Sequence, residues 1–322
     1  MCNFNSFQAA ESFFRTSSNT NFTLRPEVQI RDIFTAVQDK TAHFGVVPYE
    51  NSTNGPVSFT LNLFADRDRR CPEVRVCGKT KVAVRHCLLG HPRPNLSETA
   101  QNASFDAATE IKGTNFSHIK LLYSHPQAWG QCERFLELNF KGVQREDASS
   151  TSKAADLAAA DVTGTSAAIS SLKVAELCEL DVLAKDIQDR DDNVTYFFVI
   201  YHADNKGLLS ELPIYRQDGE QKISDEEGDV DQDHWRTLIT FGVPHAATGA
   251  MADVLAVFKD KGLNLTNMHQ CPRLPDDKEH IFCTEIQGRK SKEEKGAIDE
   301  ALKQLSVAVQ LRWLGSWKDE EE

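Results

Sequence analysis

Nowhere does the sequence hold an apolar run near the roughly 18 residues that a membrane-crossing helix needs. Its opening, MCNFNSFQAAESFFRTSSN, lacks the basic start and sustained apolar segment of a secretion leader. Basic residues are in the minority: 36 Lys and Arg against 48 Asp and Glu leave a formal charge of −12. Phosphate backbones are held by Lys and Arg that displace counterions, so this balance excludes a general nucleic-acid binder. The 8 cysteines (Cys2, Cys71, Cys77, Cys87, Cys132, Cys178, Cys271 and Cys283) include no Cys-x-x-Cys pair, and no histidines stand at zinc-ligand spacing. The expectation is a cytoplasmic protein with reduced thiols, no metal, and no membrane or nucleic-acid partner.

What is present is a 322-residue chain with 40% hydrophobic residues, enough for two globular units. The sharpest compositional break is DGEQKISDEEGDVDQD, Asp218 to Asp233, where carboxylates crowd and apolar residues nearly vanish. Such a segment cannot offset its own ordering entropy and reads as a linker. The division expected is a first domain over 1–205, an acidic linker over 206–234 and a C-terminal domain over 235–318. A second polar stretch, His91 to Ser117, reads as a surface excursion inside the first domain.

Helix-like and strand-like segments alternate through the first domain. Val28 to Gln38 is amphipathic, Ala42 to Val47 is an apolar run stopped by Pro48, and Ile119 to Tyr123 is strand-like. Pro126 to Leu138 reads as one helix, Thr151 to Ala160 as an alanine-rich helix, Ala167 to Ile169 as a strand and Ser171 to Cys178 as a helix. Alternation of this kind predicts α/β layers with ligands held at the carboxyl ends of strands. Beyond the linker, Arg236 to Val243 alternates as a strand. Ala250, Val254 and Phe258 recur every four residues as a buried helix face, and Gly262 caps that helix. Strands over Leu265 to Cys271 and His280 to Ile286, a charged amphipathic helix over Lys292 to Leu305 and a strand over Val309 to Trp317 complete a βαββαβ order, the ferredoxin-like arrangement.

Three segments gather polar residues at the ends of apolar runs. GVVPYENSTNGPV (Gly45 to Val57) delivers Glu50, Asn51, Ser52 and Thr53 into a turn: a carboxylate, an amide and two hydroxyls suited to a polar substrate, or simply good turn chemistry. SSTSKAA (Ser149 to Ala155) sets hydroxyls before a helix whose first amides favour an anion, or serves as an ordinary N-cap. NVTYFFVI (Asn193 to Ile200) opens an apolar strand on Thr195, as a positioned hydroxyl or as a residue of high β propensity. His125, in YSHPQ before a helix, is more readily structural than catalytic.

In this order, GVVPYENST, YSHPQAWGQCERFL, SSTSKAADLAA, AAISS and LDVLAKDIQDRDDNVTYFFVI resemble the successive signature segments of prephenate dehydratases. TGAMADVLAVFKDKGLNLTNMHQCPR resembles the ACT regulatory domain of the same enzymes. The resemblance implies an α/β catalytic domain of two lobes, similar to periplasmic solute-binding folds, followed by a ferredoxin-like ACT domain. It implies the cofactor-free conversion of prephenate to phenylpyruvate, carbon dioxide and water on the route to phenylalanine. Thr195 would correspond to the threonine of a Thr-Arg-Phe motif that donates to the leaving hydroxyl, and Tyr196 and Phe197 beside it would bind the substrate. Asn51, Ser52 and Thr53 would orient the substrate, Glu50 would organise their turn, and Ser150 and Thr151 would take a substrate carboxylate. His245, Gly249, Ala250, Met251, His269 and Cys271 would line a phenylalanine site in a homodimer or homotetramer joined through the ACT domain.

The chain departs from the family pattern in three places. Tyr196 replaces the motif arginine, His269-Gln270-Cys271-Pro272 replaces a Glu-Ser-Arg-Pro segment, and no opening strand and glycine loop precede NFNSFQAA, which implies a truncated start or a sheet short of one edge. A tyrosine hydroxyl offers neither the charge nor the planar fork that a carboxylate prefers. Two alternatives follow: a dehydratase acting on arogenate, and a catalytically impaired binding or interaction protein.

Overall fold

The computed structural model describes residues 4–15, 22–91, 116–212, 234–275, 277–291 and 295–319. Helix α1 (Phe4–Arg15) and the amphipathic α2 (Ile30–Gln38) precede β1 (Phe44–Asn51), the short β2 (Gly55–Pro56) and α3 (Ser58–Ala65). Then come β3 (Val74–Ala83), β4 (Cys87–Gly90), β5 (Leu121–Ser124), α4 (Pro126–Gln131), α5 (Glu133–Asn139) and β6 (Gln144–Asp147). The alanine-rich α6 (Thr151–Ala159), β7 (Ser166–Ser170), α7 (Leu172–Cys178), β8 (Asp181–Ala184) and β9 (Val194–His202) follow, and a 3-10 helix over Ala203–Glu211 takes up the first residues of the expected linker. Most of that linker lies outside the described residues, as does most of the expected excursion at 91–117. The C-terminal elements are β10 (Trp235–Pro244), α8 (Ala250–Asp260), β11 (Leu265–Gln270), β12 (Glu279–Gln287), α9 (Ala297–Ala308) and β13 (Gln310–Lys318).

The chain forms two compact units. One is built on Ala83–Val194, the other on Gln8–Val82 together with Thr195–Glu322. In the first, a five-stranded sheet runs in the order β6-β5-β7-β4-β8, with β5 parallel to β6 and β7 and with β4 antiparallel to β7 and β8. Small residues permit close packing there: Ala154, Ala155 and Ala158 of α6 are fully buried together with Ala168 of β7.

The helix expected over Pro126 to Leu138 is two helices. The chain leaves helical geometry at the buried Cys132 (φ −130°, ψ 23°), and the Asp189 carboxylate accepts the freed amides of Glu133 and Arg134 at 3.0 and 3.1 Å. That cap comes from more than fifty positions downstream, so no local periodicity announces the break.

His86 in this unit is 6% exposed, and its Nε2 meets the Gln131 side chain at 2.7 Å. Burial lowers its pKa, while the Gln131 contact opposes that shift. A group with a lowered folded-state pKa contributes stability above its unfolded value, near 6.5 for histidine, and loses it as pH falls through the folded value. The thermal midpoint is therefore expected to drop from pH 7 to pH 5, and less steeply in His86→Gln. Equal slopes for the two proteins would remove His86 from that account.

In the other unit, β2-β1-β9-β3 form a mixed-length sheet in which β1 and β9 are antiparallel. Alternate residues of β9 divide between two cores. Phe197 and Val199 pack with Ala9, Phe13 and Phe14 of α1, whereas Phe198 and Ile200 pack with Phe34, Phe64 and Trp317. The C-terminal sheet runs β11-β12-β10-β13, the ferredoxin-like order, with α8 and α9 on one face and Leu238, Cys283, Leu314 and Trp317 of the other face in the core shared with β1 and β9.

This packing brings Gly315 of β13 (φ +137°) against β3, where a Cβ would lie 2.1 Å from the Val76 carbonyl oxygen. Both the dihedral and the clash penalise any side chain. Gly315→Ala is expected to destabilise the unit by on the order of 2 kcal/mol or more, read from denaturant unfolding.

Candidate active site

The site grows from the antiparallel pairing of β1 and β9. Asn51 at the carboxyl end of β1 is the register partner of Thr195 at the start of β9, and Glu50 is the partner of Tyr196. Neighbours in a strand point to opposite faces, so each pair commits its side chains together. On one face the Asn51 amide nitrogen donates to Thr195 Oγ1 at 3.0 Å. Asn51 is 9% exposed, and its Oδ1 accepts the backbone amides of Thr53 and Asn54 at 3.0 and 2.9 Å. One side chain thus closes the turn and addresses the threonine hydroxyl. Ser52 and Thr53 are exposed on that turn.

The opposite face carries contacts that residue order alone did not announce. Glu50 does not organise the turn, because Asn51 does. A register shift between Pro48 and Glu50 sends the Glu50 carboxylate instead toward the C-terminal domain, where Asn267 Nδ2 donates to it at 2.9 Å and His269 Nε2 lies 3.3 Å away. Tyr196 likewise faces the C-terminal domain, with Lys79 Nζ 5.2 Å from its ring centre. Phe197 shares the Thr195 face but is fully buried among α1 residues, so it supports the strand and offers no surface to a ligand.

Behind Tyr196 the Glu285 carboxylate, 4% exposed, receives the Thr266 hydroxyl at 2.8 Å and lies 3.7 Å from Lys79 Nζ and 3.8 Å from Arg236 Nε. A buried carboxylate persists only with such compensation. The Tyr49 phenol accepts from the Asn267 amide, and burial, followed by the charges of Glu285 and Glu50, pushes its pKa far above the usual range.

In the Ala83–Val194 unit, Ser150 is the N-cap of α6: its Oγ accepts from the Lys153 amide at 3.0 Å, and Thr151 is the first helical residue. The N-cap leaves the Ser150 O–H and the amides of Thr151 and Ser152 available for an anion. His125 caps α4 in the same way through Nδ1, which accepts from the Gln127 amide at 3.3 Å.

Of the expected effector residues, Gly249 (φ +83°) precedes α8, Ala250 and Met251 begin it, and His245 lies against His280 with ring centres 4.1 Å apart and the planes tilted by 46°. His269 turns toward Glu50 of β1 and Cys271 into the unit's own core: the Cys271 thiol meets the Leu61 carbonyl at 3.5 Å, and burial pushes its pKa up to about 12. A cavity of about 790 Å³ between α3, β10 and β13 is rich in arginine, but Arg67 is spent on Asp277 and the Pro272 carbonyl, and Arg312 on Asp66 and the Cys71 carbonyl. Those guanidiniums join two parts of the fold.

Residues 4–205 match the family description "Prephenate dehydratase". The chain belongs to the prephenate dehydratase family. Over 311 residues it is 30% identical to the bifunctional chorismate mutase/prephenate dehydratase of Aquifex aeolicus, covering 96% of this chain and 69% of that one. It is 29% identical to the chloroplastic arogenate dehydratase/prephenate dehydratase 2 of Arabidopsis thaliana, covering 74% of this chain and 50% of that protein. The chain therefore spans between half and about two thirds of the length of these relatives. A prephenate dehydratase from Arthrobacter aurescens, solved in complex with L-Phe, shares the fold at a TM-score of 0.70, with 21% identity over 97% of this chain and 86% of that one. Among the described residues, no helix is long and apolar enough to cross a membrane.

The family's two-lobed α/β domain followed by a ferredoxin-like domain is the architecture found here. Asn51 both closes the turn and addresses Thr195, and its offset from Thr53 and Asn54 is the sequence signal for the turn.

Proposed function

We propose that the chain dehydrates and decarboxylates prephenate to phenylpyruvate, with the hydrogen-bonded pair Asn51 and Thr195 at the leaving hydroxyl. The observation that carries this reading is the 3.0 Å donation from Asn51 Nδ2 to Thr195 Oγ1. Because the threonine oxygen already accepts from the amide, its own O–H is left to donate, and an accepted hydrogen bond polarises the one given. As the ring C–O bond breaks, the departing hydroxide takes that hydrogen and leaves as water. The electron pair of the bond to the ring carboxylate moves into the ring, carbon dioxide departs, and solvent returns a proton to Thr195. Aromatisation supplies the driving force, so binding energy serves to orient the dianion and to stabilise charge on the leaving oxygen.

Ser150 and Thr151, with the first amides of α6, take a substrate carboxylate; the capped helix start supports that role. Phenylalanine binds at His245, Gly249, Ala250 and Met251 between C-terminal domains of a homodimer or homotetramer, a reading supported by the L-Phe complex of the Arthrobacter aurescens relative. The free thiols of the described cysteines suit a reducing cytoplasm. The test is to incubate the purified chain with prephenate at neutral pH and follow phenylpyruvate by its absorbance in alkali. Formation well above the spontaneous rate is expected, and a rate equal to background would refute the proposal. Arogenate in a parallel reaction, scored as phenylalanine, identifies the preferred substrate.

A further inference from the structure

We infer that Asn267 and His269 of β11 are positioning residues for the Asn51–Thr195 pair, acting through Glu50 from the far side of β1. The inference rests on the reading of that pair given above, and it assigns the C-terminal domain a part in basal turnover that needs no effector. Three observations carry it. Asn267 Nδ2 holds the Glu50 carboxylate at 2.9 Å and donates to the Tyr49 phenol as well, so one amide grips two consecutive residues of β1. His269 Nε2 reaches the same Glu50 oxygen at 3.3 Å, and its ring lies edge-on to Tyr49 with centres 5.9 Å apart. Glu50 is followed directly by Asn51, whose own bonds run to Thr195 and to the amides of Thr53 and Asn54.

The geometry makes β1 a lever with fixed points on both faces. Pairing with β9 sets the strand's register, but the shift between Pro48 and Glu50 interrupts the ladder immediately before the functional residues. A bulged segment has fewer backbone constraints than a regular one, so side-chain contacts decide its orientation. Those contacts come from β11. Burial of these groups is uneven: the Glu50 and His269 side chains are 25% and 16% exposed, so the contact is sheltered without being sealed. Loss of the grip would leave the fold standing on its apolar core while the Asn51 amide wanders, and misplacement of this kind acts on the transition state more than on ground-state binding.

The experiment uses the full chain with Asn267→Ala, His269→Ala and the double variant. It measures kcat and KM for prephenate, the thermal midpoint, and hydrogen exchange at the Thr53 and Asn54 amides. Expected for Asn267→Ala is a fall in kcat of about tenfold or more with KM held within about twofold, and faster exchange at both amides. In a Glu50→Ala background, Asn267→Ala should cost less than it does alone, because the gripped carboxylate is already absent and only the Tyr49 contact remains to be lost. Unchanged kcat in the folded double variant, or a loss of kcat without faster exchange at Thr53 and Asn54, would overturn the inference. If Asn267→Ala fails to fold, His269→Ala alone decides on the same two readouts. A wild-type chain that does not turn over prephenate would defeat the reading above, while the exchange measurement would still decide whether β11 holds the turn.

Discussion

Thr195→Ala is expected to lower the prephenate turnover number by about a hundredfold, because removal of one preorganised donor to a leaving oxygen typically costs on the order of 3 kcal/mol of transition-state stabilisation. KM should change little, since the hydroxyl's largest benefit comes as charge develops on the departing oxygen. The fold should survive. Thr195 is the second residue of β9, whose buried residues Phe197, Phe198, Val199 and Ile200 carry the packing. Thr195→Ser is the informative companion: it keeps the O–H and loses only a methyl group, so most of the rate should return. Steady-state kinetics on the three proteins decides the matter.

The second large effect is expected at Asn51, where two substitutions separate two jobs. Asn51→Asp keeps an oxygen for the Thr53 and Asn54 amides but removes the nitrogen that donates to Thr195. It also sets a negative charge at the place proposed to meet a dianion. The turn should persist while turnover falls by about a hundredfold or more, a loss of the size seen when an oriented donor is removed. Asn51→Ala loses both functions and leaves two turn amides without their acceptor, which adds a stability cost of about 1 to 3 kcal/mol. Comparable thermal midpoints for the two variants would contradict the turn-closing role.

Elements with a strong hydrophobic period were legible in the sequence. Val254 and Phe258 are on the buried face of α8 as their spacing requires, and the final βαββαβ order follows from the strand-like runs on either side of the two amphipathic helices. β6 was not legible, since its residues Gln144, Arg145, Glu146 and Asp147 are all exposed and its existence rests on parallel pairing with β5. The break at Cys132 was invisible because Asp189, which caps the second helix, is remote in sequence.

At the site, residue types and order pointed to Asn51 and Thr195, but facing did not follow from them. Whether Glu50 or Asn51 addressed the turn depended on the register shift at Pro48, a tertiary feature of the β1–β9 ladder. The replacement of arginine by Tyr196 therefore bears on the contact with the C-terminal domain, where Lys79 supplies a cation over its ring and pairs with Glu285. Sequence alone had placed that substitution at the substrate.

The most direct test of the central claim follows prephenate labelled with carbon-13 in its ring carboxylate by NMR, with wild-type protein and Thr195→Ala side by side. The account predicts labelled carbon dioxide and phenylpyruvate formed one for one by the wild type, and the same products about a hundredfold more slowly from the variant. Equal rates for the two proteins, or wild-type product formation no faster than in buffer alone, would contradict it.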